Sequence, residues 1–540
     1  MIRKLFGGQI NSVTIAALVI ALSSLVSRFL GIFRDRILAG EFGAGDTLDI
    51  YYAAFRVPDL IFNLLVLGAL SAGFVPVLTR LIKDWQYQRT DGSSAESNKR
   101  VWELVNNIFN LLLAVLVFLS ALGIIFAPFL TKLIAPGFPP AKQALTAELT
   151  RIMFFSPIFL GLSSVFGGVL QSFKRFFVYS LTPIVYNLGI IVGALYFAPV
   201  WGVKGLAYGV ILGAFFHMAI QVPVVWRLGW RPTWRFNWRD KYVREIASMI
   251  PPRTLTLAIG QINLLAITII ASTLLAGSLA VFNFANNLQS FFIGIFGISF
   301  AVAAFPTLSA IAFDRRKLIQ HFSHIFRQIL FFIVPATVLL LTLRAQIIRV
   351  ILGTGRFDWE DTVLTMDTLA FFALSLFAQA SLPLLLRVFY ARQDAKTPFF
   401  IGLVSAAVNI SLSLYFAPRL GVAGLALAFS LASILNFVLL WLVLRAQLGD
   451  LDEGRILISA IKFSASALAA GIAIQGMKLL VWPYVDMTRV WGVLTQGAAA
   501  GLAGILVYLA FCSLLRSEEL FAFWEAFKSR LPWRKIEAGD

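Results

Sequence analysis

Residues 111–126 read LLLAVLVFLSALGIIF, residues 329–343 read ILFFIVPATVLLLTL, and residues 490–509 read VWGVLTQGAAAGLAGILVYL. None of these runs carries a charge. Each approaches or reaches the roughly 20 residues that a helix needs to cross a hydrocarbon core about 30 Å thick. The rest of the chain has the same character. Apolar residues make up 59% of its 540 positions and charged residues 13%, with a mean hydropathy of +0.84. A soluble domain of this length needs more charged surface than that. The alternating short segments of a membrane β-barrel are missing, so the chain reads as an all-α polytopic membrane protein.

Arg3 and Lys4 precede an apolar run that continues past Ser27 and Arg28 without a small-residue cleavage site, which reads as a retained first span. A single cysteine, Cys512, excludes an intramolecular disulfide or a cysteine cluster. His217, His321 and His324 are too few to suggest a metal site, and none is expected. The formal charge of +18 is spread over the segments between apolar runs. That distribution fits cytoplasmic loops facing anionic headgroups, not a nucleic-acid partner.

About fourteen spans are expected, at 10–33, 47–79, 102–130, 145–171, 177–198, 203–226, 245–272, 278–312, 322–344, 362–388, 397–416, 421–444, 456–479 and 490–514. With the amino terminus in the cytoplasm, inner segments collect about thirty of the 45 lysines and arginines and outer segments about twelve. Three remain at membrane depth: Arg28, Arg56 and Arg253. This asymmetry favours an even number of spans with both termini cytoplasmic.

A repeat supports the count. YFAPVWGVKGLAYG, from Tyr196, and YFAPRLGVAGLALA, from Tyr415, agree at nine of fourteen positions with an offset of 219 residues. Six expected spans separate them, so the repeats are parallel. Two six-helix bundles follow, at 1–227 and 244–446, joined by a basic cytoplasmic linker at 228–243. An additional helix pair covers 447–515. The tail 516–540 carries Phe521, Phe523, Trp524, Phe527 and Trp533 among basic residues, which predicts an amphipathic cytoplasmic helix.

The informative charges lie in the first two spans. Arg28 sits in an apolar run, with Arg34, Asp35 and Arg36 one to two turns later and Asp49, Arg56 and Asp59 in or near the second span. Arginine facing lipid is costly and normally faces a protein interior or a wet cavity. Arg28, Arg34 and Arg56 together would make a cationic cavity for phosphate or carboxylate, which guanidinium engages with paired donors. Structural ion pairing with Asp35, Asp49 and Asp59 is the alternative. Arg253 follows Pro251 and Pro252, a pair that predicts a break of the hinge or binding-site kind, or else marks an arginine reaching to the interface. Gly161, Gly167, Gly168, Gly294 and Gly297 read as helix-packing positions. No clustered carboxylates, usable histidine pair or phosphate-cradling loop points to an enzyme or an ATP-driven pump.

Three segments resemble the MurJ (MviN) family: SRFLGIFRDRILAGEFGAGDTLDIYYAAFRVPDL from Ser27 to Leu60, RVFYARQDAKTP from Arg387 to Pro398, and GRF at Gly355 to Phe357. The resemblance covers residues 10 to 515. It implies a V-shaped MOP-type arrangement of two six-helix lobes around a cationic cavity, plus two C-terminal helices forming a lipid-tail groove. It also implies export of lipid II, the undecaprenyl-pyrophosphate-linked peptidoglycan precursor, to the outer leaflet for cell-wall biogenesis. Family cavity residues match Arg28, Arg34, Asp49 and Arg56. Basic residues of many members fall at Phe62 and Asn287 here, and Arg253 is the candidate replacement. The seventh span, 246–272, holds no carboxylate of the kind that binds sodium in some relatives.

The resulting expectation is a non-enzymatic lipid II flippase of the bacterial inner membrane, working by alternating access. Arg28, Arg34, Asp35, Asp49, Arg56 and Arg253 are its candidate substrate residues. No cofactor is expected beyond a membrane potential or ion gradient. Its partners would be lipid II, membrane lipids and the cell-wall synthesis machinery. The rival reading is a MOP-fold exporter of another lipid-linked oligosaccharide or of drugs. A scaffold would need no internal repeat around charge, and a transferase would need catalytic carboxylates. The topology is testable with single cysteines in a Cys512→Ser background. An impermeant reagent should reach positions 93 and 235 from the cytoplasmic side and position 358 from the outside. Reversal at two of these sites overturns the span count.

Overall fold

The computed structural model describes residues 13–67, 73–88 and 94–528. Every regular element among them is helical. Lipid offers no partner to a backbone N–H or C=O, and a helix pairs these groups within one segment. The chain forms two compact units, Met1–Ala280 with Gly355–Phe357, and Val281–Thr354 with Asp358–Asp540.

The first unit contains α1 (Val13–Phe42), α2 (Asp46–Ile61), α3 (Val75–Gln88), α4 (Ser94–Ile134), α5 (Pro140–Met153), α6 (Phe155–Ser172), α7 (Phe176–Val192), α8 (Val203–Ala219), α9 (Val222–Arg227) and α10 (Lys241–Ser272). The next helix, α11 (Ser278–Phe292), starts in this unit and continues into the second. There follow α12 (Ser299–Ala310), α13 (Arg315–Thr342), α14 (Arg344–Ile351), α15 (Trp359–Ala373), α16 (Leu376–Ala391), α17 (Lys396–Leu420), α18 (Val422–Leu448), α19 (Glu453–Val481), α20 (Val490–Leu514) and α21 (Glu518–Lys528). Among the described residues, ten helices are long and apolar enough to cross a membrane, or eleven if the bent pair α15–α16 is one span. The expected spans 10–33, 47–79 and 245–272 include residues that lie wholly or in their side chains outside the description, and they do not enter that count.

Several expectations change. The span expected at 362–388 is two helices bent by 48°. At the bend, Ser375 Oγ donates to Ser430 Oγ at 2.9 Å and Gln379 Nε2 donates to Ser375 Oγ at 2.7 Å. Ser430 Oγ also donates to the Phe371 carbonyl at 2.7 Å, so a side chain takes an acceptor that a straight helix would pair through its backbone. The break expected at Pro251–Pro252 does not occur, because α10 runs continuously through it. Two missing N–H donors are tolerated in a helix of 32 residues when neighbouring helices support it. By its packing that helix falls within the compact first unit. Its Thr254 Oγ1 donates to the Leu64 carbonyl, and its Glu245 pairs with Arg80 at 2.6 Å.

The basic linker is a fixed strap. Asn106, Asn107 and Asn110 on α4 donate to the carbonyls of Arg231, Asn237 and Thr233 at 2.9, 2.7 and 2.8 Å. Trp230 Nε1 donates to Asn106 Oδ1 at 3.0 Å, and the indole lies in a core with Phe166, Phe74 and Val225. The tail begins as the expected helix, with Phe521, Phe523 and Trp524 exposed. The side chain of Phe527 and all of Trp533 lie outside the described residues. Arg327 of α13 pairs with Glu519 at 2.6 Å, and Ser459 and Ser517 each donate to that carboxylate at 2.8 Å. Burial pushes the Glu519 carboxyl up, yet its own backbone N–H, the two serines and Arg327 outweigh that and hold it below the usual range.

The sequence repeat is also a backbone repeat. Gly202 has φ 59° and ψ −143°, and Gly421 has φ 59° and ψ −141°. Both are in the left-handed half of the map that glycine adopts without penalty. Three residues on, Gly205 and Gly424 donate back to them at 3.0 and 3.1 Å. A Cβ at either would press on the backbone of Phe197 or Phe416, at 2.3 and 2.5 Å. In the first unit this close approach continues along α7 and α8. A Cβ at Gly209 would lie 2.5 Å from Gly193 Cα, and one at Gly189 would lie 2.2 Å from Gly213 Cα. The small-residue spacing of four lets the two backbones touch. Gly209→Ala should therefore destabilise the purified protein by roughly 2 kcal/mol, the cost of overpacking. Gly260→Ala, which meets no atom within 4 Å, should leave the melting temperature unchanged. Equal melting temperatures for the two variants would remove this packing account.

Candidate functional site

Within the first unit a cavity of about 470 Å³ is bounded by α1, α6, α7 and α8, with Arg28, Ser163, Tyr179, His217 and Gln221 among its walls. α1 supplies Ser24, Ser27 and Arg28, and the π-helical turn Phe62–Leu67 that extends α2 brings Phe62 to the same wall. Such turns widen a helix locally and re-aim a side chain. Among the described residues, Arg28 is the one arginine or lysine lining the cavity, and no carboxylate lines it. Serine and threonine hydroxyls make up most of the polar lining, so the wall offers many weak hydrogen bonds around one strong cation.

His217, Ser163 and Gln221 form one hydrogen-bonded network. Ser163 Oγ donates to the His217 carbonyl at 2.9 Å and lies 2.6 Å from His217 Nδ1. A hydroxyl has one proton, so with that proton on the carbonyl the imidazole Nδ1–H must donate to Oγ. Gln221 Nε2 donates to Ser163 Oγ and, at 3.1 Å, to the carbonyls of Ser163 and His217. Gln221 is almost fully buried, and its Oε1 has no partner among the described residues. It leaves an acceptor at the wall for a water or a ligand hydroxyl.

The other expected residues go elsewhere. Arg34 forms a two-donor bridge to Asp35 at 2.8 and 3.0 Å and donates to Asn187 Oδ1 at 3.0 Å. Asp35 is buried. The ion-pair alternative holds for this arginine, which reaches the cavity only through Asn187, whose amide lies 3.4 Å from Ser27 Oγ. Arg56 Nε donates to the buried Thr268 Oγ1 at 2.9 Å. Asp49 is buried and accepts from the backbone N–H of Gly277 at 2.8 Å and of Ala280 at 3.0 Å. Lys142 reaches the same carboxylate at 3.1 Å and Asp46 at 2.6 Å. Asp49 thus holds the start of α11, where a carboxylate also meets the positive end of the helix dipole. Arg253 lies on α10, but its side chain is outside the described residues. Arg28 is therefore the expected residue that the structure brings to the cavity.

Sequence reading passed over Ser163, His217, Gln221 and Lys142. His217 and Gln221 stand one helical turn apart in an apolar span, a polar pair that carried a usable signal. In the second unit, Asn287 stands where relatives were expected to carry a cation, and neutral amides lie beside it in sequence. Gln289 accepts from Gln379 at 3.0 Å and donates to Asn286 at 3.1 Å. It also has an apolar groove of about 650 Å³, bordered by Phe326, Val338, Phe377, Trp441, Ile456 and Leu468. Of the C-terminal pair, α19 borders this groove.

Membrane-crossing helices around a polar cavity define a multi-pass membrane transporter, and known proteins agree. A solved structure titled as an inward-facing MATE-family multidrug transporter of the MOP superfamily aligns with TM-score 0.65 at 16% identity, covering 81% of this chain and 99% of that one. A solved structure of a lipid II flippase MurJ in an inward closed conformation aligns with TM-score 0.74 at 24% identity, covering 92% and 98%. The chain belongs to the lipid II flippase MurJ family, whose sequence model matches residues 38–495. A probable lipid II flippase MurJ of Vibrio cholerae is 29% identical over 521 residues, covering 93% of this chain and 95% of that one. Its counterpart in Thermotoga maritima is 28% identical over 513 residues, covering 93% and 97%.

The Asp49 geometry predicts a stability effect separate from transport. Asp49→Ala strands two backbone donors and Lys142, and should cost roughly 3 kcal/mol in thermal unfolding. Asp49→Asn keeps one acceptor and should cost less. If the two variants melt like wild type, Asp49 does not hold α11.

Proposed function

We propose that this chain moves lipid II from the inner to the outer leaflet of the bacterial cytoplasmic membrane by alternating access. The observation that carries the reading is Arg28 on the wall of a hydroxyl-rich cavity at membrane depth. A guanidinium there offers paired donors to a pyrophosphate, and surrounding hydroxyls and the Gln221 acceptor suit sugar groups. Family membership supports the substrate. The apolar groove of the second unit suits a polyprenyl tail, which then stays in lipid while the headgroup crosses.

Arg34 and Asp35 are read as positioning residues that act through Asn187 and Ser27, Asp49 as a structural anchor, and Arg56 and Arg253 as candidate headgroup contacts. Fourteen spans, six in each of two lobes at 1–227 and 244–446 and a further pair at 447–515, with both termini cytoplasmic, remain our reading of the topology. A membrane potential or ion gradient would drive the cycle, because a cationic site that changes access moves charge in the field. The cell-wall synthesis machinery is the expected partner on either side of the step.

Proteoliposomes carrying labelled lipid II test this reading. Arg28→Ala should lower headgroup arrival at the far leaflet by at least about tenfold, the effect of one lost charge-assisted contact, with an unchanged melting temperature. Arg28→Lys should recover part of the rate, since ammonium keeps the charge and loses the fork. Wild-type transport by the alanine variant would dismiss Arg28 as the headgroup contact, and no transport by wild type would dismiss the substrate.

A further inference from the structure

A second polar cavity, of about 570 Å³, lies in the second unit where α13 passes into α14 and α19 turns toward α20. Gln346, Arg349, Trp359, Lys478, Trp482 and Gln496 are on its walls. Gln346 and Arg349 follow the apolar span 315–342, Lys478 and Trp482 lie at the end of 453–484, Gln496 lies near the start of 490–514, and Trp359 opens the bent pair. Trp359, Trp482, Tyr484 and Trp491 are exposed around it. Tryptophan and tyrosine collect at the headgroup level of a membrane.

The charge here is one-sided. Arg349 and Lys478 line the cavity, and among the described residues no carboxylate does. Arg344 lies close enough to Lys478 to repel it. The nearby carboxylate of Asp486 is taken by Arg489 at 3.2 Å and by Thr488 at 2.9 Å. Asp358 caps α15, accepting from Asp361 N–H at 2.9 Å, and Glu360 and Asp361 sit in that first turn. Lys478 Nζ donates once, to the Thr342 carbonyl at 3.2 Å, and the Arg349 guanidinium lies 6.0 Å from the Trp359 ring. Such a cluster favours an anion.

The glutamines define the ligand further. The Lys478 carbonyl can only accept, so Gln496 must turn its Nε2 toward it, at 3.0 Å. Gln496 Oε1 then accepts from Gln346 Nε2 at 2.9 Å. This chain fixes both amides and leaves Gln346 Oε1, on a residue 7% exposed, without a partner among the described residues. A buried amide oxygen lacking a donor is costly. It requires a donor from whatever occupies the cavity.

We propose that this cavity binds a lipid headgroup in which a phosphate is followed by a hydroxyl. The phosphate lies between Arg349 and Lys478, and the hydroxyl donates to Gln346 Oε1. Two lipids carry this chemistry: a glycerophospholipid of the leaflet, or a polyprenyl-pyrophosphate-linked sugar after crossing. The site needs no transport to exist, so its failure and that of the lipid II reading are separable.

Native mass spectrometry of the full chain, titrated with dioleoyl phosphatidylglycerol or dioleoyl phosphatidylcholine, tests it. Wild type should prefer phosphatidylglycerol by about tenfold, as charge-assisted contacts imply. Arg349→Gln with Lys478→Gln should abolish the preference, and Gln346→Met should weaken it. Because Lys478 also tethers α19 to α13, Arg349→Gln alone is the control, with its melting temperature measured. Photoactivatable phosphatidylglycerol should crosslink within 345–349 and 475–487. Displacement of phosphatidylglycerol by lipid II would assign the site to the translocated lipid, and its absence would assign it to the leaflet. Equal binding of the two phospholipids by wild type, or an unchanged preference in the folded double variant, would overturn the proposal.

Discussion

A guanidinium at membrane depth has few stable surroundings: a carboxylate, an array of polar acceptors, or a wet cavity. The first unit arranges its early helices around that constraint. Arg34 is matched by Asp35 next to it and by Asn187 across from it. Arg56 is matched by Thr268. Each arginine recruits a polar group from a helix far away in sequence, and those recruits fix which helices adjoin. Arg28 is instead placed where α6, α7 and α8 draw apart and hydroxyls replace apolar side chains. The helices that make room for it are held together elsewhere by glycine contacts so close that no Cβ fits. Tight packing at one level of the unit and open space at another are two results of one sequence pattern.

The same economy separates rigid from receptive polar groups. Asp49 receives two backbone donors and a lysine, which commits it to holding the start of α11. Ser163 is likewise committed. Gln221 and Gln346 each keep one acceptor without a donor among the described residues. In a medium that supplies little water, unfilled hydrogen-bonding capacity on a buried side chain is where a ligand gains most.

How much could be read from sequence varied with the physics behind each feature. Long uncharged runs reported helices directly, because hydrocarbon permits nothing else. The offset of 219 residues reported a backbone repeat, confirmed by matching torsions at Gly202 and Gly421. Arg28 was legible as isolated charge in apolar sequence. The anchoring role of Asp49 was not legible because two of its partners are backbone N–H groups, which no sequence pattern marks. Pro251 and Pro252 signalled a break that α10 does not have, since tertiary support decides whether proline interrupts a membrane helix. The bend at Ser375 was hidden because serine pairs with distant side chains there. Gln346 and Gln496 looked unremarkable singly, and only their contact across 150 residues orients the amides.

The strap at residues 230–237 bears on how the protein is made. Asn106 and its backbone partner at Arg231 are 125 residues apart. At synthesis rates of about 5–20 residues per second, the three asparagine amides on α4 wait roughly 6–25 seconds for their acceptors. During that interval α4 is already made, with the amides at this end unsatisfied. Arrival of the strap closes those amides and seats Trp230 in the core together, so this end of the unit closes at a defined point in translation. A ribosome stalled just after α9 would leave the helices threaded but this end unsealed, a species that quality-control proteases are equipped to find.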